Sequence, residues 1–407
     1  MSSIYFFNSN SQETRRAEYL LKDYILLTIL LICASTDFPS ISIGGMMFRL
    51  SWIILPFVYV AYFFRNKVEK KMLILTLFFL VSAIPSIYIS SNYLKSLFYF
   101  FWVFLNFFIY FSIFYSISQR IGLNVFRPIF WVSRFHILIG LFLFLIGIQD
   151  RPTSTFYEVS YLSIFLIPYI TGLVFYRKYS NFFDYVLLAV FSVFSVSAAF
   201  LLILLTILFI YLIFYIKKNI NNLSRLIILG FVFTFFAMGF LFYVQNVDDT
   251  NTRVLKVLLN GLSFDQWELI VMRGGNRYPR MIEAIEIIKS NWLFGTGLGS
   301  YEAYSSDIQL SRSWDHWIEI RGMPATNIWI EVFVTAGVLS FIIFSITSFY
   351  FFYKIFLISS EQIFWIYLAI IASIFLVMSF ESTYMRSYLW CYLGMILGFL
   401  NLKIVDR

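Results

Sequence analysis

Four arginines fall in two short stretches of the chain: Arg151 in QDRPTSTFYEVS, and Arg273, Arg277 and Arg280 in MRGGNRYPR. A guanidinium stays charged at any working pH, forks onto phosphate oxygens and tolerates partial desolvation better than an ammonium. A convergent set would suit a pyrophosphate. The same residues could instead bind anionic lipid headgroups or pair with Asp265, Glu283 and Glu286. Three acids, Glu158, Glu331 and Glu381, stand at or just inside the ends of long apolar runs. Burying a carboxylate there is costly unless it is paired, so each should face protein or water. In such a place a carboxylate orients sugar hydroxyls or acts as general base toward an acceptor hydroxyl; the alternative is an ion pair that ties two helices. His316, in SRSWDHWIEIRG, lies between Trp314 and Trp317, whose faces suit sugar rings, and a near-neutral imidazole can move protons. Its plainer reading is an exposed surface histidine. His136 sits inside an apolar run and reads as a packed, hydrogen-bonded residue.

The elements that must position these residues are membrane helices. Of the 407 residues 60% are hydrophobic, 22% aromatic and only 13% charged, against roughly 25% charged in a soluble domain. Uncharged stretches of about 17 residues or more recur, the length needed to cross a bilayer; a β-barrel would show short alternating segments instead. The expected fold is all-α, a polytopic membrane helix bundle with spans near 22–36, 46–64, 71–89, 94–117, 129–149, 158–176, 181–196, 198–216, 225–244, 325–353, 361–380 and 385–402. Little polarity separates the seventh from the eighth; Ser195 and Ser197 mark the turn between them. The polar start MSSIYFFNSNSQETRRAEYL carries no cleavage site after an apolar core, so the first span is expected to remain as an anchor. Cys33 and Cys391 fall inside spans and read as small apolar packers.

Orientation follows from the basic residues. With the amino terminus inside, eighteen of the 30 Lys and Arg collect on one side, whereas the short loops of the other hold only Arg49, Lys95, Arg151 and Arg386. Both termini are therefore expected to be cytoplasmic, and the long segment 245–324 extracytoplasmic. Spans 1–9 then occupy residues 1–244, and spans 10–12 residues 325–407. Apolar periodicity marks the long segment as folded. RVLKVLLNG, after Asn251 and Thr252, reads as a short helix that stops at Asn260 and Gly261. Pro279 suits the start of RMIEAIEIIKSNW, which puts Met281, Ile285, Ile288 and Trp292 on one face and Glu283 and Glu286 off it. That helix should lie on the membrane surface or on the bundle with its polar edge toward an aqueous cavity. In LFGTGLGSY, Gly295, Gly297 and Gly299 end it and permit a tight backbone path.

Several classes drop out. Basic residues clustered in short loops serve topology, so a nucleic-acid partner is not expected. The chain has no P-loop, no HExxH and no His/Cys metal spacing, and GTGLG lacks the strand–helix context of a dinucleotide site. No cofactor or metal is expected, and a donor would have to arrive already activated.

In three places the sequence resembles the O-antigen polymerase (Wzy-type) and O-antigen ligase superfamily. RPTSTFYEVSYLS (151–163) is similar to the family's arginine followed by a Phe/Tyr-Glu-Pro-Ser stretch that opens a helix, with Val159 where proline is common. RYPRMIEAIEIIKSNWLFGTGLGSY (277–301) resembles its arginine, amphipathic helix and Phe-Gly-x-Gly-x-Gly run. TNIWIEVFVTAGVLSF (326–341) is similar to the segment in which His-Asn opens a helix and a glycine follows ten residues on; here Thr326 replaces the ligase histidine, ahead of Asn327 and Gly337. The resemblance implies an enzyme of the bacterial inner membrane that transfers a growing glycan from undecaprenyl pyrophosphate onto a new lipid-linked repeat unit. Its partners would be the undecaprenyl-pyrophosphate-linked oligosaccharide, membrane lipids and a chain-length regulator. Arg151, Arg273, Arg277 and Arg280 would grip diphosphates; Glu158, Glu331 or His316 would be the base; Asn327, Trp314 and Trp317 would help line the sugar groove. The rivals are a ligase on the same fold and a polysaccharide flippase. A ligase should keep the histidine before Asn327, and a flippase needs no folded loop on one side.

Overall fold

The computed structural model describes residues 6–43, 46–62, 68–195, 197–218, 277–307, 324–358, 360–381 and 386–405. The described residues are mostly helical. In chain order they form α1 (Phe6–Ser35), a hairpin of β1 (Ser40–Ile43) and β2 (Met46–Arg49), α2 (Leu55–Tyr62), α3 (Lys70–Tyr88), α4 (Tyr93–Leu105), α5 (Ser112–Ile121), α6 (Phe126–Leu145), α7 (Val159–Phe165) and α8 (Ile167–Thr171). These are followed by α9 (Phe182–Ser195), α10 (Ala198–Lys218), α11 (Arg277–Asn291), α12 (Tyr301–Asp307), α13 (Ile328–Phe356), α14 (Glu361–Met378) and α15 (Ser387–Val405).

Among the described residues five helical stretches are long and apolar enough to cross a membrane: 70–88, 93–145, 199–218, 328–356 and 361–378; 159–165 with 167–176, bent by 46°, makes a sixth. The run 93–145 covers two expected spans and changes direction at Gly122, whose φ of 58° lies outside the helical region. The turn expected at Ser195 and Ser197 is present: α9 ends at Ser195, and the Ser197 hydroxyl accepts from the Phe200 N–H at 3.3 Å to open α10. The expected span 225–244 and the short helix after Thr252 lie outside the described residues.

One span begins differently from the sequence reading. Residues 46–49, placed at the start of a helix over 46–64, pair as a strand with 40–43, Ser40 opposite Arg49 and Ile43 opposite Met46. The paired glycines at 44 and 45, after the alternating SISI, are a hairpin signal that bulk apolarity hid. A 3₁₀ turn over Leu50–Ile54 then leads into the eight-residue α2.

Local chemistry starts the helices. The Glu69 carboxylate accepts from the Met72 N–H at 2.5 Å to cap α3, and the Asn92 side chain accepts from the Lys95 N–H at 3.0 Å to cap α4, each satisfying a donor that the first turn leaves open. Helix α15 lies directly against α5 because Gly394 and Gly398 face it; a Cβ at either would collide with the Phe111 or Tyr115 carbonyl. Small residues four apart are how membrane helices approach closely without a hydrophobic drive between them. Buried aromatics, Phe107, Phe111, Tyr367, Tyr388 and Tyr392 among them, fill the centre, and Tyr392 donates to the Phe165 carbonyl at 2.6 Å.

His136 is a packed residue, fully buried on α6. Its Nε2 lies 2.7 Å from the Ser35 hydroxyl and its Nδ1 3.1 Å from that of Ser154. Cys33 and Cys391 are buried free thiols.

Candidate active site

At one end of the bundle a helix is interrupted. Asn327 opens α13, its Oδ1 accepting from the N–H groups of Trp329 (2.9 Å) and Ile330 (3.1 Å), while its Nδ2 donates to the Ser379 carbonyl at 2.8 Å. Two and a half turns later Gly337 takes φ 79°, which strains any side chain, and the helix breaks. Carbonyls freed by a break at membrane depth must find donors, and the glycine run supplies them. Thr296 N–H donates to the Val334 carbonyl at 2.8 Å, Gly297 N–H to that of Thr335 at 3.0 Å, and Val338 N–H returns a bond to Trp292 at 3.0 Å. The motif over 292–299 thus plugs into the broken helix.

This joint brings acids to the mouth. Glu331 sits one turn into α13, and Glu302 on α12, directly after the glycine run. Glu302 pairs with Lys95 of α4 at 2.7 Å, and that lysine is largely buried. The charges of Glu302 and Lys95 both reach Glu331. On the flank, Tyr301 donates to buried Glu283 of α11 at 3.3 Å and lies in the field of Arg280. Burial first, then the neighbouring Glu283 carboxylate, holds the Tyr301 phenol well above its ordinary range.

A second cluster borders the first. Asp37, 1% exposed, receives Arg49 of β2 at 2.7 Å and Arg386, just ahead of α15, at 2.7 Å. It also accepts from the Tyr157 N–H at 3.2 Å, while its own N–H donates to the Thr155 carbonyl at 3.0 Å. The Arg386 guanidinium carbon lies over the ring of Tyr161 of α7, 3.8 Å from its centroid. Burial, together with the nearby Arg386, lowers the Arg49 pKa despite Asp37; at Arg386 burial pulls the same way, but Asp37, Tyr388 and Tyr161 outweigh it and the pKa ends raised. The two clusters meet at Tyr99, which lies in the fields of Glu302, Glu331 and Arg386.

The structure brings some sequence candidates together and leaves others apart. Glu331 and Arg280 belong to the mouth. Asn327 is at the mouth as well, with its polar atoms engaged in capping α13 and tying it to the end of α14. Glu158 is exposed at the start of α7, accepts from the Ser160 hydroxyl at 3.0 Å and acts, with Glu381, on Tyr161. Arg151 is half-buried in the connection from α6 to α7, and its carbonyl accepts from the Thr153 N–H at 2.7 Å. Arg277 opens α11; its side chain, Arg273, Trp314, His316 and Trp317 lie outside the described residues.

Helix α11 departs from the expected stripe. Glu283, Ala284 and Ile287 are buried, while Ile285 and Trp292, with Leu293 and Phe294, are exposed. In a bilayer the apolar stripe can face outward, so the polar edge turns into the protein.

Sequence reasoning missed Asp37, Arg49, Lys95, Glu302 and Arg386. A signal was present for three of them: Arg49, Lys95 and Arg386 are among only four basic residues in short loops on the side that positive-inside bias keeps poor in charge. A cation retained against that bias needs a reason, and here each is engaged by an acid.

Comparison with curated proteins finds no match to the chain. A family model does match. It spans residues 183–345, which include α11, the glycine run, Glu302, Asn327, Glu331 and the break at Gly337, whereas Asp37, Arg49, Lys95 and Arg386 lie outside it. That model is described as O-antigen ligase, and over this segment the chain is similar to the O-antigen ligase/polymerase superfamily.

Proposed function

We propose that this protein is a surface-polysaccharide polymerase of the inner membrane. It moves a growing glycan from undecaprenyl pyrophosphate to a hydroxyl of the next lipid-linked repeat unit, on the extracytoplasmic side. The observation that carries the reading is the meeting of a helix-break carboxylate, Glu331, with cationic groups from distant parts of the chain at one end of an apolar bundle. Transfer needs both: a base for the acceptor proton and fixed positive charge for the departing diphosphate.

In this scheme the acceptor oxygen bonds to the anomeric carbon as the bond from that carbon to the diphosphate oxygen breaks. Glu331 takes the hydroxyl proton, and the diphosphate leaves with the electron pair. Arginines hold the two lipid diphosphates, Arg280 from α11 and Arg151 from the loop before α7. Thr326, buried beneath the start of α13 where a ligase carries histidine, favours a lipid-linked acceptor over the ligase reaction.

The test uses purified protein in nanodiscs with a lipid-linked repeat unit. The wild type should build ladders of increasing length. Glu331→Gln should slow them about a hundredfold or more with insertion unchanged, and ladder formation at the wild-type rate would remove Glu331 from the mechanism. Transfer only to a lipid A–core acceptor would identify a ligase instead. A reporter fused at residue 310 should read extracytoplasmic.

A further inference from the structure

Arg386 and Asp37 form a short polar contact at the mouth, and the matched family segment contains neither residue. The two are 349 positions apart in sequence. Arg386 reaches both Asp37 oxygens with a single nitrogen, Nη1, at 2.7 and 2.9 Å. Its guanidinium carbon lies over the Tyr161 ring, 3.8 Å from the centroid. Asp37 at Nη1 and Tyr161, whose ring and hydroxyl it engages, hold the guanidinium in place. A guanidinium carries its five N–H donors in that plane, and the Nη1 group supplies only two of them. The other edge has the donor spacing that two phosphate oxygens take.

Position agrees with this chemistry. The Arg386 charge is felt at Tyr99, where those of Glu302 and Glu331 are also felt. Arg49 completes the arrangement by sharing Asp37, so that one carboxylate answers two cations; Glu158 and Glu381 act on the adjoining Tyr161 and balance part of the surplus. Asp37 further holds the Tyr157 N–H, which fixes the start of α7 and with it Tyr161.

We propose that Arg386, with Asp37 as its positioning residue, grips the diphosphate of a lipid-linked glycan beside Glu331. The inference rests on the glycosyltransferase reading above and adds to it a residue that its motifs do not contain.

The experiment titrates full-length protein, in phosphatidylcholine nanodiscs, with farnesyl diphosphate, and follows transfer kinetics in the same preparation. Arg386→Ala should weaken binding by about tenfold or more, the worth of a charge-assisted forked contact. Arg386→Lys, which retains the charge and a bond to Asp37, should lose nearly as much because an ammonium cannot fork or stack. Asp37→Asn should raise KM for the lipid-linked donor with kcat little changed, a split that a purely structural defect would not produce. Arg386→Lys and Asp37→Asn binding farnesyl diphosphate like the wild type, while the wild type transfers glycan, would overturn the inference and leave the enzymatic reading standing. Wild type that neither binds the diphosphate nor transfers glycan would end both. Phosphatidylglycerol nanodiscs supply the remaining arm: abolition of farnesyl diphosphate binding there would identify a lipid-headgroup site and overturn the proposal, and retained binding supports it.

Discussion

The two ends of the bundle handle charge differently. At the end opposite the mouth, Arg134 of α6 meets fully buried Asp184 of α9 through two bonds of 2.6 and 2.8 Å. Tyr169 and the Asn181 N–H complete the acid's shell at 2.9 and 2.8 Å, and the arginine's other bond goes to the Tyr179 carbonyl. Nearby, Arg120 and Tyr62 both bind Asp23. These are ties in which each acid is answered by one arginine and a tyrosine. At the mouth one aspartate serves two arginines, one lysine and two glutamates share a neighbourhood, and a helix is broken to admit a glycine run. Closed shells hold helices together. Shared ones, where several cations and acids meet, are what the proposed diphosphate site would use.

Three substitutions test that contrast, and their effects should fall in order. Asp184→Asn leaves the Arg134 charge without its acid among buried groups and should cost about 3 kcal/mol of stability, read as a lowered thermal midpoint in detergent. Donor KM in the surviving folded protein should not move; a shifted KM would mean that the far end also serves the reaction. Gly337→Ala forces a Cβ against the Leu293 carbonyl at a φ of 79°. It should cost about 1–3 kcal/mol and shorten the polymer, since the break positions Glu331. Full-length polymer with an unchanged midpoint would show that the break tolerates repacking. The Lys217–Glu361 pair, 3.3 Å apart with both side chains at least 49% exposed, is the weak limit. Glu361→Gln should change neither midpoint nor polymer length, because exposed pairs contribute little.

Much of this was legible residue by residue. The amphipathic segment beginning at Pro279 and the turn at Ser197 came from patterns a few residues long, and so did the glycine punctuation of α11. Arg280 stood out in a cluster of arginines and Glu331 because acids are rare beside apolar runs, whereas Asn327 came from the family resemblance. What escaped reading has a common cause. The hairpin at 40–49 was masked because strand and helix share the same apolar composition over so short a stretch. Asp37 looked ordinary because nothing near it in the chain explains it; its partners are brought by β2 and by the residue that precedes α15.

Composition and spacing by themselves determined that the chain is a helical membrane protein, since the cost of placing a side chain in lipid is set mostly residue by residue and can be summed along a window. They determined the end of α11 at the glycine run as well, because that depends on local backbone geometry. Tertiary structure alone decided which acid meets which arginine, which face of α11 turns inward, and that Arg386 and Asp37 share one site. Coulomb energy and desolvation depend on distance through space, and no window along the sequence contains residues 37 and 386 together.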